Sequence, residues 1–267
     1  MKSNLPEPLP LEFAEPLART ADRLGPFGRR IVWYADVPST NDIAAALGEQ
    51  GADEGLVVAA NAQSAGRGRQ GRRWVSPQGA GLYVSTVLRP SPLAAPLLTI
   101  AAGVAVVEGV QRATGLEPHL KWPNDVYAGG RKVAGVLAEA RTTVGAVQFV
   151  ILGFGINVLP AAYPRDVAGR ATSLEGELGR AVDRGALLAE CLASLAERYR
   201  ELQTGQAGAI LEAWRMRAAP TLGRRVRWEA GGAAVEGVAE TIDESGALLV
   251  RTGGSVVRVT AGTVTWF

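Results

Sequence analysis

The densest concentration of reactive groups in this chain is Gly66-Arg67-Gly68-Arg69-Gln70-Gly71-Arg72-Arg73-Trp74. Glycines let a backbone approach a ligand, and guanidinium forks donate in pairs to carboxylate or phosphate, so this loop suits closure over an anion. Its spacing excludes two nucleotide fingerprints, because no Gly-Lys-Ser/Thr follows and the glycines are not set for a dinucleotide turn. A solvated basic loop, or an RNA-binding arginine-glycine segment, uses the same residue types; with one aromatic, Trp74, the RNA reading has little for bases to stack on. A second cluster, Lys121-Trp122-Pro123-Asn124-Asp125-Val126, sets a cation, an aromatic ring, an amide and a carboxylate side by side, although Pro-Asn-Asp is also ordinary turn chemistry. Lys132 then opens an apolar run to Glu139, from which its ammonium can reach a buried site. A third group, Gly153-Phe154-Gly155-Ile156-Asn157, ends an apolar strand. Its glycines either admit a flat ligand or serve strand packing. Val158 stands where a dinucleotide fold needs its third glycine, which excludes a Rossmann start.

Composition narrows the chemistry. The 267 residues hold 47% hydrophobic and 20% charged residues and a net charge of +2, ordinary values for a soluble globular chain with no global field toward nucleic acid or membrane. The single histidine, His119, and single cysteine, Cys191, exclude a His/Cys zinc cluster and an internal disulfide. With no signal-peptide pattern and no apolar run of membrane-spanning length, the expected address is the cytoplasm. Of 28 basic residues only Lys2, Lys121 and Lys132 are lysine, leaving 25 arginines. In a chain whose default cation is arginine, the two internal lysines draw notice, since a compact ammonium does what a planar fork does not.

The elements that must position these residues can be read from pattern. Residues 1–28 read as a short arm, punctuated by proline, with a weak helical pattern around Leu17 and Leu24. The β-branched and aromatic run from Arg29 predicts a strand, and Ser39-Thr40-Asn41-Asp42 predicts a capping box opening a helix through Leu47. Strands are expected at 55–61, 82–88, 119–122, 125–128, 132–139 and 147–158, with a turn at Gly129-Gly130. Helices are expected at 95–114, 182–202 and 207–217. After Pro220 the texture changes to short alternating strands between glycine-rich turns, which predicts a small all-β barrel. The expected organisation is α+β: an arm at 1–28, a mixed sheet with packed helices at 29–217, and the barrel at 218–267.

Taken in order, Ser39-Thr40-Asn41, Gln63, the loop at 66–74, Lys-Trp-Pro-Asn-Asp at 121–125, Lys-x-x-Gly-x-Leu at 132–137 and Gly-x-Gly-x-Asn at 153–157 resemble the biotin protein ligase family. The resemblance spans about residues 30 to 267. It implies a class II synthetase-like catalytic domain with an SH3-like C-terminal barrel, and a ligase that makes biotinyl-AMP from biotin and ATP. The biotin would then pass to a lysine of a biotin carboxyl carrier protein. It also implies the roles. Ser39, Thr40, Asn41 and Gln63 would meet the ureido head of biotin, and Trp74, Gly135, Leu137, Gly153 and Ile156 would wall its ring and tail. Arg67, Gly68 and Arg69 belong to a loop ordered on binding. Lys132, with Arg67 and Arg69, would act on the reacting carboxylate and α-phosphate. Arg69, Arg72, Asn124, Lys132 and Asn157 would hold the adenylate. Asp125 is linked to metal, and Mg2+ is expected with the ATP. The arm has no room for the winged helix by which some members repress transcription, so neither nucleic acid nor membrane is an expected partner; a homodimer stays open. The nearest rivals are lipoate ligases and octanoyltransferases, which share the catalytic fold; the polar set at 39–41 and Gln63 argues for a ureido head.

Overall fold

The computed structural model describes residues 5–143, 146–161, 163–230 and 232–267. Seven strands form one sheet: β1 (Ile31–Tyr34), β2 (Val57–Ala60), β3 (Gly81–Leu88), β4 (His119–Lys121), β5 (Asp125–Ala128), β6 (Arg131–Thr143) and β7 (Ala146–Asn157). Their order is β1-β2-β3-β7-β6-β5-β4. β1 and β2 run parallel while the other pairings are antiparallel, and the crossover that a parallel pair requires carries helix α2 (Thr40–Glu49).

Alternation along the strands divides their side chains between two apolar clusters. Leu152, Phe154 and Ile156 of β7 enter the larger cluster, together with helices α1 (Leu11–Arg19), α3 (Leu98–Thr114), α6 (Arg184–Gln203) and α7 (Ala207–Ala218). Ile151 faces the opposite way, into a smaller cluster with Ala44 and Ala45 of α2. Two short helices, α4 (Arg165–Ala168) and α5 (Leu174–Leu178), lie in the segment after β7 that sequence pattern left unassigned. Residues 95–114 have the length and apolarity to cross a membrane, contrary to the sequence expectation, but 78% of that window is buried inside the fold. They form its central core helix, stopped by Gly115 at φ 75°.

The arm is part of this core. Phe13 is fully buried against Trp33, ring centroids 4.7 Å apart, and Leu17, Leu24 and Phe27 are buried with it. The Glu7 N–H donates to the Trp33 carbonyl at 2.9 Å, so the arm also covers part of the β1 edge.

The C-terminal strands β8 (Arg225–Ala230), β9 (Ala233–Ile242), β10 (Leu248–Thr252), β11 (Ser255–Val259) and β12 (Thr265–Trp266) form an antiparallel sheet in the order β11-β10-β9-β8-β12. Among the described residues β11 and β12 do not pair with each other, so the expected barrel is an open five-stranded sheet in its hydrogen bonding. It is tied to the seven-stranded part by the Trp122 indole N–H, which donates to the Gly246 carbonyl at 2.9 Å, and by Thr221 Oγ1, which donates to the Leu120 carbonyl at 3.1 Å.

Candidate active site

A cleft of about 1040 Å³ opens over the sheet face that carries Gly153, Gly155 and Asn157, between the start of α2, the glycine-arginine loop and the C-terminal sheet. Its polar end is built around Ser85, in the middle of the fully buried strand β3. Ser85 Oγ lies 2.7 Å from Thr40 Oγ1 and 2.6 Å from Asn41 Oδ1. Thr40 donates from its backbone N–H and its hydroxyl to Gln63 Oε1 at 2.8 and 3.1 Å, and Gln63 Nε2 donates to Ser76 Oγ at 2.8 Å. Asn41 Nδ2 donates to Glu139 at 2.7 Å. One member stands outside this network: Ser39 Oγ is fully buried and has no partner among the described residues. The expected capping box does not form, because the Ser39 side chain makes no cap bond and Asp42 turns instead to Arg67.

The floor beyond it needs glycine. A Cβ at Gly153 would fall on Asn41 Oδ1, and one at Gly155 on the Trp74 indole nitrogen. At Gly135 it would meet Lys132 Nζ at 3.1 Å and Trp74 at 3.2 Å. Trp74 therefore lies flat against the sheet, its buried Nε1 without a partner among the described residues and Lys132 Nζ 5.2 Å from its ring centroid.

A register shift aims Lys132 into the cleft. Asp125 opposes Gly135 and Tyr127 opposes Lys132, with one extra residue on β6 between them. Positions 132 and 135 would face opposite ways on a regular strand; the bulge puts both on the cleft side. Lys132 Nζ pairs with Asp125 at 2.5 Å. Asn124 Nδ2 donates to the Val136 carbonyl at 2.5 Å, leaving its oxygen to accept from Arg69 at 3.3 Å. Burial pushes the Arg69 guanidinium below its ordinary value, opposed by Asp125, so Arg69 is a partly desolvated cation in want of an anion. Arg67 differs. Both of its terminal nitrogens are engaged, donating to Asp42 at 2.5 Å and Glu139 at 2.6 Å, and the hydrogen bond to Asp42 leads the causes that raise its pKa. In this conformation its charge anchors the loop.

Of the expected site residues, Ser39, Thr40, Asn41, Gln63, Arg67, Gly68, Arg69, Arg72, Trp74, Asn124, Asp125, Lys132, Gly135, Leu137, Gly153 and Asn157 all line the cleft. Ile156 does not. It is fully buried in the helix-side core, because the period of two along β7 turns it away from the face of Gly155 and Asn157. Asn157 is occupied, its Nδ2 donating to the Thr172 carbonyl at 2.9 Å. Sequence reasoning missed Ser85, Ser76, Glu139 and the segment 262–266, which forms a cleft wall. A polar residue amid an apolar buried strand was the available signal for Ser85; nothing local marks 262–266.

The residues do not fit a resident metal ion. Among the described residues no three His, Cys, Asp or Glu side chains gather, and Asp125, the only carboxylate among the described lining residues, is held by Lys132. The expected metal role of Asp125 finds no support in this geometry.

Known proteins resemble this chain over most of its length. The Biotin/lipoate A/B protein ligase family matches residues 33–157, and the Biotin protein ligase C terminal domain matches residues 221–265. The biotin--[acetyl-CoA-carboxylase] ligase of Mycobacterium tuberculosis is 38% identical over 244 residues, covering 88% of each chain. The bifunctional ligase/repressor BirA of Bacillus subtilis is 35% identical over 236 residues, 87% of this chain and 72% of its own. The biotin protein ligase of Aquifex aeolicus, solved with biotin and ATP, superposes with a TM-score of 0.74 at 29% identity, covering 90% of this chain and 99% of that one. A cleft with a polar end, a glycine floor and desolvated cations thus comes with sequence likeness along most of the chain: this protein belongs to the biotin protein ligase family.

Proposed function

We propose that this chain joins biotin to AMP and passes the biotinyl group to a lysine of a biotin carboxyl carrier protein. The observation that carries this reading is the pairing, in one cleft, of a buried hydroxyl without a partner at Ser39 with a cationic centre at Lys132 and Arg69. A ureido head supplies both donors and an acceptor to the Ser39, Thr40 and Gln63 end, and its rings pack against Trp74, the wall that itself rests on Gly135 and Gly155. The valeryl carboxylate then points toward Lys132.

A carboxylate resists attack by an amine, so it is first activated. One of its oxygens attacks the α-phosphorus of ATP, and pyrophosphate leaves with the electrons of the broken bond. Negative charge gathers where Lys132 and Arg69 stand, and fixed donors of this kind are worth about 3 kcal/mol each in such transition states. Asp125 keeps Lys132 in place until the anion arrives. Arg67, tied to Asp42 and Glu139, holds the loop over the bound adenylate so that water does not hydrolyse it. The carrier amine then attacks the biotinyl carbonyl and AMP departs, with no covalent enzyme intermediate. Magnesium enters as part of the nucleotide substrate. Lipoate, whose ring lacks ureido N–H and C=O groups, leaves Ser39 unsatisfied, which disfavours the lipoate reading of the same fold.

The test is incubation of the chain with ATP, biotin and a carrier domain, with streptavidin detection and a carrier whose acceptor lysine is arginine as control. Label on the wild-type carrier alone supports the proposal. No label on either, with folded proteins, overturns it.

A further inference from the structure

Lys121 lines the cleft, and the adenylation reading so far gives it no part. It lies at the end of β4, opposite Asp125 of β5, which in turn opposes Gly135 of β6. Two strand spacings, about 10 Å, therefore separate Lys121 from the glycine beside Lys132. Its ammonium sits 4.8 Å from the Tyr127 ring centroid and 5.0 Å from that of Trp266, with the Tyr127 hydroxyl at 3.3 Å. No carboxylate pairs with it among the described residues, whereas Lys132 and Arg67 both have acidic partners. Burial lowers its pKa, Asp125 opposes this, and Lys132 and Arg224 add to it, so the site is short of negative charge. A partly buried cation held by two ring faces and one phenol hydroxyl, with no anion beside it, gains much from an arriving one. A further cation lines the same cleft: Arg72, which donates to Thr263 Oγ1 at 3.1 Å.

We propose that Lys121 is a polyphosphate-binding residue, holding the terminal phosphates of the nucleotide and then the departing pyrophosphate. This rests on the adenylation reading above. As the carboxylate oxygen bonds to the α-phosphorus, the bond from that phosphorus to the bridging oxygen breaks, and its electrons move onto pyrophosphate. The Lys121 ammonium meets that charge with up to three donors and needs no planar partner, which suits a tetrahedral phosphate better than an arginine fork. Trp266 makes this subsite joint property of the two sheets, which gives the C-terminal strands a part in the first half-reaction.

The test uses the full chain with Lys121→Met, which keeps the stem and removes the charge, and Lys121→Arg, which restores the charge. Inorganic pyrophosphate alone is titrated calorimetrically into each, biotin is titrated separately, and transfer to the carrier is timed from presynthesised biotinyl-AMP. In the methionine variant, pyrophosphate affinity is expected to fall about tenfold or more, with arginine recovering most of it. Biotin affinity and transfer from the finished adenylate are expected to stay as in the wild type. Pyrophosphate affinity that stays at the wild-type value in folded Lys121→Met overturns the proposal, and so does an equal loss in the transfer step, which marks a structural role. If pyrophosphate binds through Lys121 but biotin drives no exchange of pyrophosphate into ATP, the subsite stands and the ligase reading falls.

Discussion

Replacing Ser39 with alanine is expected to stabilise the empty protein and weaken its hold on biotin, two effects of opposite sign from one oxygen. The Ser39 side chain is fully buried and its Oγ has no partner among the described residues. Although it stands at the N-cap of α2 it makes no cap bond, so alanine forfeits none. A buried hydroxyl without a partner costs about 1–3 kcal/mol, and its removal recovers the lower part of that range once the lost packing of one atom is counted. About 1 kcal/mol raises the melting temperature of a chain of this length by about 2 °C. On the proposed reading biotin would give that oxygen its first hydrogen bond, so the variant is expected to lose about 1–1.5 kcal/mol of binding, roughly five- to tenfold in affinity. Thermal unfolding with and without saturating biotin, together with calorimetric titration, measures both effects. An empty variant that melts below the wild type, or one that binds biotin as tightly, refutes the reasoning.

Gly155→Ala sets a methyl on the Trp74 indole. The fold should survive, judged by circular dichroism, while displacement of that wall weakens biotin binding by about tenfold or more in a titration. Glu139→Gln removes one of the two carboxylates that hold Arg67. Because the pair is partly exposed, the loop loses about 0.5–1 kcal/mol of closure, and release of bound biotinyl-AMP in a chase experiment should quicken two- to fivefold. Lys132→Ala should leave unfolding unchanged within about 1 kcal/mol and slow single-turnover biotinyl-AMP formation about a hundredfold; an unchanged rate contradicts its role. Burial raises the Asp243 carboxyl, but hydrogen bonds from Ser245, Arg258 and the Ala247 and Ser245 amides outweigh this and hold it at about 2. Its folded value lies below the unfolded one, so its contribution to stability is present above about pH 4 and is lost as pH falls toward 2. The melting temperatures of wild type and Asp243→Asn should therefore differ at neutral pH and converge across that window.

What the sequence disclosed depended on how few alternatives each residue type has. Gly66, Gly68 and Gly71 amid four arginines make a dense local pattern, and the loop was legible for that reason; that Gly66 is also required because a Cβ there would meet the Trp74 carbonyl, and Gly71 because its φ is 72°, no local pattern records. The apolar periods at 95–114 and along β7 gave helix and strand with little ambiguity. Ile156 was placed in the site because it sits inside the Gly-x-Gly-x-Asn motif, yet the strand period alone assigns it to the other face. The arm read as marginal because Phe13 and Leu17 have meaning only against Trp33 and α6, partners remote in sequence. For the same reason the Arg67 pairing with Glu139 and the wall at 262–266 were invisible: each joins residues from separate elements, and no local pattern records such contacts. The bulge that aims Lys132 is likewise a property of strand register, which motif spacing does not fix.

The most direct measurement is biotin-dependent exchange of labelled pyrophosphate into ATP by the purified chain, run beside lipoate and octanoate. The account expects exchange with biotin alone. Exchange with lipoate or octanoate in its place, or with none of the three while the chain remains folded, would contradict it.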